Sequence, residues 1–177
     1  MVVFVGAVYS RLSSHIFGDW NACGKVMGLA PWANRKLQEA KGWYFGSSAA
    51  AERDGQVPAS LDLGKNFHHA VSFMHGNIFD GSFAVNWEEI EKLIRINAFS
   101  DDPFSYNAHL ASCVQNDLEA VAKEFLSSLQ QQTKAENLVL CGGVALNSVM
   151  NGKILSSKMF KKVHVPPCPG DEGVAIG

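Results

Sequence analysis

The chain lacks a close-spaced cysteine pair, a long apolar run and any excess of basic charge. Its four cysteines, Cys23, Cys113, Cys141 and Cys168, are scattered along 177 residues. They match no close-spaced zinc pattern and read as reduced thiols of an intracellular, cytoplasmic protein. No apolar stretch approaches the ~20 residues of a membrane span. The opening MVVFVGAVYSRL has no basic start leading to a long apolar stretch and a small-residue cleavage site. It reads as the edge of a core. Lys and Arg total 15 against 17 Asp and Glu, for a net charge of −2. Neither nucleic acid nor a membrane surface is therefore an expected partner. With 47% hydrophobic and 18% charged residues, the composition suits one globular domain with a real core.

Order and periodicity give the elements. Pro31 is expected to stop a short helix in GKVMGLAPW, residues 24–32. Residues 46–66 hold Gly46, Gly55, Pro58 and Gly64 with little periodicity, so 46–80 is expected to be loop or insertion. Phe67, Val71 and Phe73 alternate across 67–75, residues 82–85 suit a second strand, and Asp80-Gly81 between them favours a hairpin turn. Trp87, Ile90, Leu93 and Ile94 fall at helical spacing. Over 107–132, Leu110, Val114, Leu118, Val121, Phe125 and Leu129 define a long amphipathic helix, with Glu119 and Lys123 as an outward pair. A short strand at 138–141, a helix over 145–155 and a strand at 163–165 then form a β–α–β crossover.

Two strands joined by such a crossover run parallel and end on one side of the sheet. Gly142-Gly143 leaves the first strand, and Pro169-Gly170-Asp171-Glu172-Gly173 leaves the second. Open α/β sheets bind ligands at that edge. Glycines let backbone approach a ligand closely, and a helix start after Gly143 would turn N–H groups toward it. Asp171 could meet the divalent cation that a polyphosphate brings. Each feature also has a plainer reading: Gly-Gly as tight strand–helix packing, Asp171 as a helix cap.

LCGGVALNSVMNGKI at 140–154 and VPPCPGDEGVAIG at 165–177 together resemble the signature of the carbamoyltransferase family, which includes nodulation-factor and antibiotic O-carbamoyltransferases. GKVMGLAPW at 24–32 and AHLASCVQNDLE at 108–119 resemble further blocks in the family's order. The resemblance implies an α/β fold. It would be part of an actin-like ATPase domain, akin to actin, Hsp70 and sugar kinases, with a mixed sheet and flanking helices. It also implies that residues 1–177 form a partial nucleotide-binding domain, incomplete at both ends and completed by amino- and carboxyl-terminal segments of the same enzyme. The implied reaction makes carbamoyl-adenylate from carbamoyl phosphate and ATP and passes the carbamoyl group to the hydroxyl of a small molecule. Carried over by position, Lys25, Gly142, Gly143, Val144, Asn147 and Gly170 would contact the nucleotide. Asp171 would be a metal ligand, to iron as in relatives or to magnesium.

The chain departs from that pattern where the family has an acid before Gly-Lys: here Cys23 stands, and a thiol is a poor acceptor for ribose hydroxyls. The family's metal-binding histidine pair lies upstream of this block. His68, His69 and His75 lie downstream and read better as strand histidines. Two other functions stay open: a binding or scaffold remnant of the same fold, and a threonylcarbamoyl-transfer protein acting on tRNA.

Overall fold

The computed structural model describes residues 5–33, 74–75, 83–97 and 102–176. Within them the protein is mixed helix and strand, and mostly helical. The opening stretch is helix α1, Val5–Phe17, which buries Val8, Tyr9 and Leu12 on one face. It stops at Gly18, whose φ of 69° is the left-handed conformation common just past a helix end. Helix α2, Cys23–Leu29, runs into a 3-10 turn at Ala30–Trp32 that carries Pro31 near its start. Proline has no N–H to continue an α-helical ladder, so the helix tightens there and ends.

Strands β1 (Met74–His75) and β2 (Ala84–Val85) pair antiparallel, with Met74 opposite Val85. The expected hairpin therefore has its paired strands, while its turn and most of 46–80 lie outside the described residues. In helix α3, Trp87–Asn97, Ile90, Leu93 and Ile94 are buried as the spacing predicts, but Trp87 at its first turn is exposed. Arg11 of α1 grips Glu91 of α3 through two hydrogen bonds of 2.6 and 2.7 Å.

Helix α4, Pro103–Thr133, is the 31-residue spine against which α1, α2, α3 and β1 pack. Asp102 caps its start by accepting from the Ser105 N–H at 3.1 Å, and Pro103 occupies the first position, where no N–H is needed. Leu110, Val114, Leu118 and Val121 are buried as expected; further along, Leu126 is buried and Phe125 only half so. The amphipathic reading falls short between Ala108 and Gln115. Every residue there is buried, because other elements cover this stretch on all sides. The expected Glu119–Lys123 pair is also replaced. Glu119 turns inward and pairs with Lys153.

Past α4 come strand β3 (Asn137–Val139), a 3-10 turn (Gly143–Leu146), helix α5 (Ser148–Ser156) and strand β4 (Lys162–His164). Strands β3 and β4 are parallel, with Leu138 beside Val163, so the crossover is as expected. Among the described residues the strands form one antiparallel pair and one parallel pair. The helix foreseen over 145–155 is divided at Asn147, whose extended backbone (φ −75°, ψ 94°) ends the 3-10 turn. No helix among the described residues is long and apolar enough to cross a membrane.

Candidate functional site

The two glycine-bearing loops meet at the carboxyl edge of the β3–β4 pair. Beyond the strands, the Leu140 N–H still bonds the His164 carbonyl at 2.9 Å. Two residues on, the Gly142 N–H donates to the Pro169 carbonyl at 2.6 Å. That bond clasps one loop to the other. Gly142 has φ 96° and ψ 164°, a region essentially reserved for glycine, and this swings the chain into the 3-10 turn. Gly143 has open space where a side chain would begin. The leading N–H groups of the turn, at Gly143 and Val144, have no acceptor within it. The Val144 side chain packs into the core, with its Cγ2 facing α1 near Gly6, so only its backbone is offered outward.

The second loop is as tight. A Cβ on Gly173 would run into the Cys168 carbonyl oxygen, and the Gly170 N–H donates to the Glu172 carboxylate at 3.1 Å. A 3-10 turn opens at Asp171–Ala175, where a helix start was expected. Both Asp171 and Glu172 are exposed.

Asn147, carried over as a nucleotide contact through its amide, is buried. It is 8% exposed, and its side chain is committed inward. Oδ1 accepts from the Met150 N–H at 2.9 Å, which caps α5, and from Gln115 Nε2 at 3.2 Å. Nδ2 donates to Gln115 Oε1 at 2.9 Å and to the Tyr9 hydroxyl at 3.4 Å. The Tyr9 hydroxyl donates to Gln115 Oε1, and burial pushes that phenol well above its usual range, with Glu119 adding in the same sense. Gln115 Nε2 also reaches Glu119 Oε1 at 2.8 Å. Neither Tyr9 nor Gln115 was singled out from sequence. Gln115 sits one position off the apolar stripe, in the block 108–119, and only the all-round burial of α4 reveals it.

Cys23 Sγ, where an acid was expected, donates to the Trp20 carbonyl at 3.4 Å and lies 3.7 Å from Ser10 Oγ. Lys25 is exposed, its ammonium 5.7 Å from the centre of the Phe17 ring. Its helix borders the site: Met27 Sδ stands 3.9 Å from Ser148 Oγ at the start of α5. His68 and His69 fall outside the described residues, and His75 is placed in β1 by its backbone. Among the described residues no three His, Cys, Asp or Glu side chains gather as a metal site would require.

Residues 3–177 match the family described as carbamoyltransferase N-terminus. The chain is 40% identical over 68 residues to the uncharacterized protein sll1178 of Synechocystis, covering 38% of this chain and 11% of that protein. It is 37% identical over 68 residues to nodulation protein NolNO of Sinorhizobium fredii, covering 38% of this chain and 10% of that one. Identity to nodulation protein NolO of Bradyrhizobium diazoefficiens is 35% over 68 residues, covering 38% of this chain and 12% of the relative. The chain thus spans about a tenth of the length of these curated relatives.

Proposed function

Because this chain belongs to the carbamoyltransferase family, we propose that it forms the nucleotide-binding part of an ATP-dependent O-carbamoyltransferase on an actin-like ATPase fold. In this reading water cleaves carbamoyl phosphate to carbamate and inorganic phosphate. A carbamate oxygen then bonds to the α-phosphorus of ATP as pyrophosphate leaves, giving carbamoyl-adenylate. The hydroxyl oxygen of a small-molecule acceptor then bonds to its carbonyl carbon as AMP leaves. Adenylation supplies the good leaving group, so the protein's task is to orient reactants and to meet developing negative charge with fixed donors.

The observation that carries the reading is the clasp from the Gly142 N–H to the Pro169 carbonyl. It makes one rim of the two loops, at the sheet edge where open α/β folds hold nucleotides. On that rim the N–H groups of Gly143 and Val144 would receive phosphate oxygens. Gly170 would let the second loop close on the ligand, and the exposed ammonium of Lys25, on the bordering helix, would add positive charge. Asp171 is a single open carboxylate. The described residues do not by themselves complete a metal-binding set.

Calorimetric titration of the complete gene product with ATP, followed by assay of pyrophosphate release with and without carbamoyl phosphate, tests the proposal. ATP binding together with carbamoyl-phosphate-dependent release is the expected result. Binding without release would indicate a remnant that keeps the nucleotide site and has lost the chemistry. Absence of both would sink the nucleotide reading.

A further inference from the structure

We infer that Gln115 and Tyr9 are positioning residues for the 142–147 turn, acting on it through the buried amide of Asn147. The inference rests on the reading of that turn as a nucleotide cradle. It rests equally on a hydrogen-bond arrangement that admits only one orientation. The Met150 N–H requires an oxygen, which fixes Asn147 Oδ1 toward the start of α5. Gln115 must then present Nε2 to that oxygen and Oε1 to Asn147 Nδ2, giving a reciprocal amide pair. The Glu119 carboxylate enforces the Gln115 orientation: it can only accept, and it takes the second Nε2 proton. The Tyr9 hydroxyl, which can donate or accept, follows it and gives its proton to Oε1. A flipped Gln115 would set N–H against N–H at Asn147 and oxygen against oxygen at Glu119.

Asn147 is the last residue of the turn whose first residue, Gly142, is clasped to the second loop. One end of the cradle is thus fixed to backbone across the sheet edge, and the other to side chains of α1 and α4. Gln115 is 5% and Tyr9 6% exposed, so neither need touch a ligand to set where the turn's N–H groups point. Lys153, on the same helix that Asn147 caps, pairs with Glu119, the carboxylate that also accepts from Gln115.

The test compares Gln115→Met, Asn147→Ser and the double variant in the complete gene product. Serine keeps a helix-capping oxygen, while both single variants remove the amide pair. Each single variant is expected to raise the ATP Kd and the ATP KM by about tenfold, with the KM for carbamoyl phosphate unchanged. The double variant should be no weaker than either single one, as expected of partners in one interaction. Tyr9→Phe, which removes one oxygen from an otherwise intact network, should give a smaller increase, about threefold. Hydrogen exchange supplies an independent readout: the bonded amides of 145–147 should lose protection in Gln115→Met while those of α4 keep theirs. Wild-type ATP affinity in the single variants overturns the inference alone, and so does a double variant weakened by the product of the single effects. If the wild-type protein binds no ATP, the nucleotide reading fails, and this inference with it.

Discussion

Gly142 and Gly143 stand side by side but do different work. A side chain at Gly142 would have to adopt φ 96° with ψ 164°, at a cost of about 1–3 kcal/mol. Gly142→Ala should therefore lower unfolding free energy by that amount in a denaturant titration. Gly143→Ala meets open space and should stay within about 0.5 kcal/mol of wild type. Under the nucleotide reading, the same Gly143 substitution should weaken ATP binding through its extra methyl group. Equal stability losses at the two positions would contradict this division. From sequence the pair read as one signal, because the letter gives a glycine's permission and not the chain path that uses it. Asn147 taught the converse. Its position next to the turn was legible, but its inward amide depends on Gln115, thirty-two residues earlier in the chain.

Among the elements, α4 was the most legible and also the one read most incompletely. Its length and stripe follow from the three-and-four spacing of Leu110, Val114, Leu118 and Val121. Burial of His109, Ser112 and Gln115 does not, since periodicity finds the face toward one neighbour and α4 has several. Its ends follow local rules. At the carboxyl end, the Lys134 N–H bonds the Gln130 carbonyl at 2.8 Å and its φ of 55° then turns the chain out of the helix. Lysine pays a steric penalty there that glycine does not. Lys134→Gly should raise stability by about 0.5–1 kcal/mol, measured as a shift in denaturation midpoint with unchanged slope. At the amino end, Asp102→Ala removes the oxygen that accepts from the Ser105 N–H and should lower the denaturation midpoint. A neutral result at both ends would show that tertiary packing alone holds this helix.

For the whole molecule, acid is the condition to which the core is exposed through His109, which is only 4% exposed. Burial holds its folded imidazole below the ordinary histidine value of about 6.5. The unfolded chain therefore takes up the proton first as pH falls. Stability contributed by keeping this ring neutral is complete above about pH 6.5 and is lost as pH drops from there through the lower folded value, at no more than about 1.4 kcal/mol per pH unit. His15, held low by burial and then by Arg11, acts in the same direction from a less covered position. His109→Gln should flatten unfolding free energy against pH across this window; an unchanged slope would assign the acid sensitivity elsewhere. The crossover, its parallel sense and the meeting of its two loops were foreseeable from the order strand, helix, strand. The antiparallel partner of β1 was foreseeable only through its turn, because local pattern identifies strands without naming more distant partners.

The clasp between Gly142 and Pro169 also makes strand alignment self-checking. If β4 slid by one residue along β3, the carbonyl that receives the Gly142 proton would be carried out of reach. The rim would then come apart along with the ladder. Strand register and rim assembly are thus coupled through this one hydrogen bond.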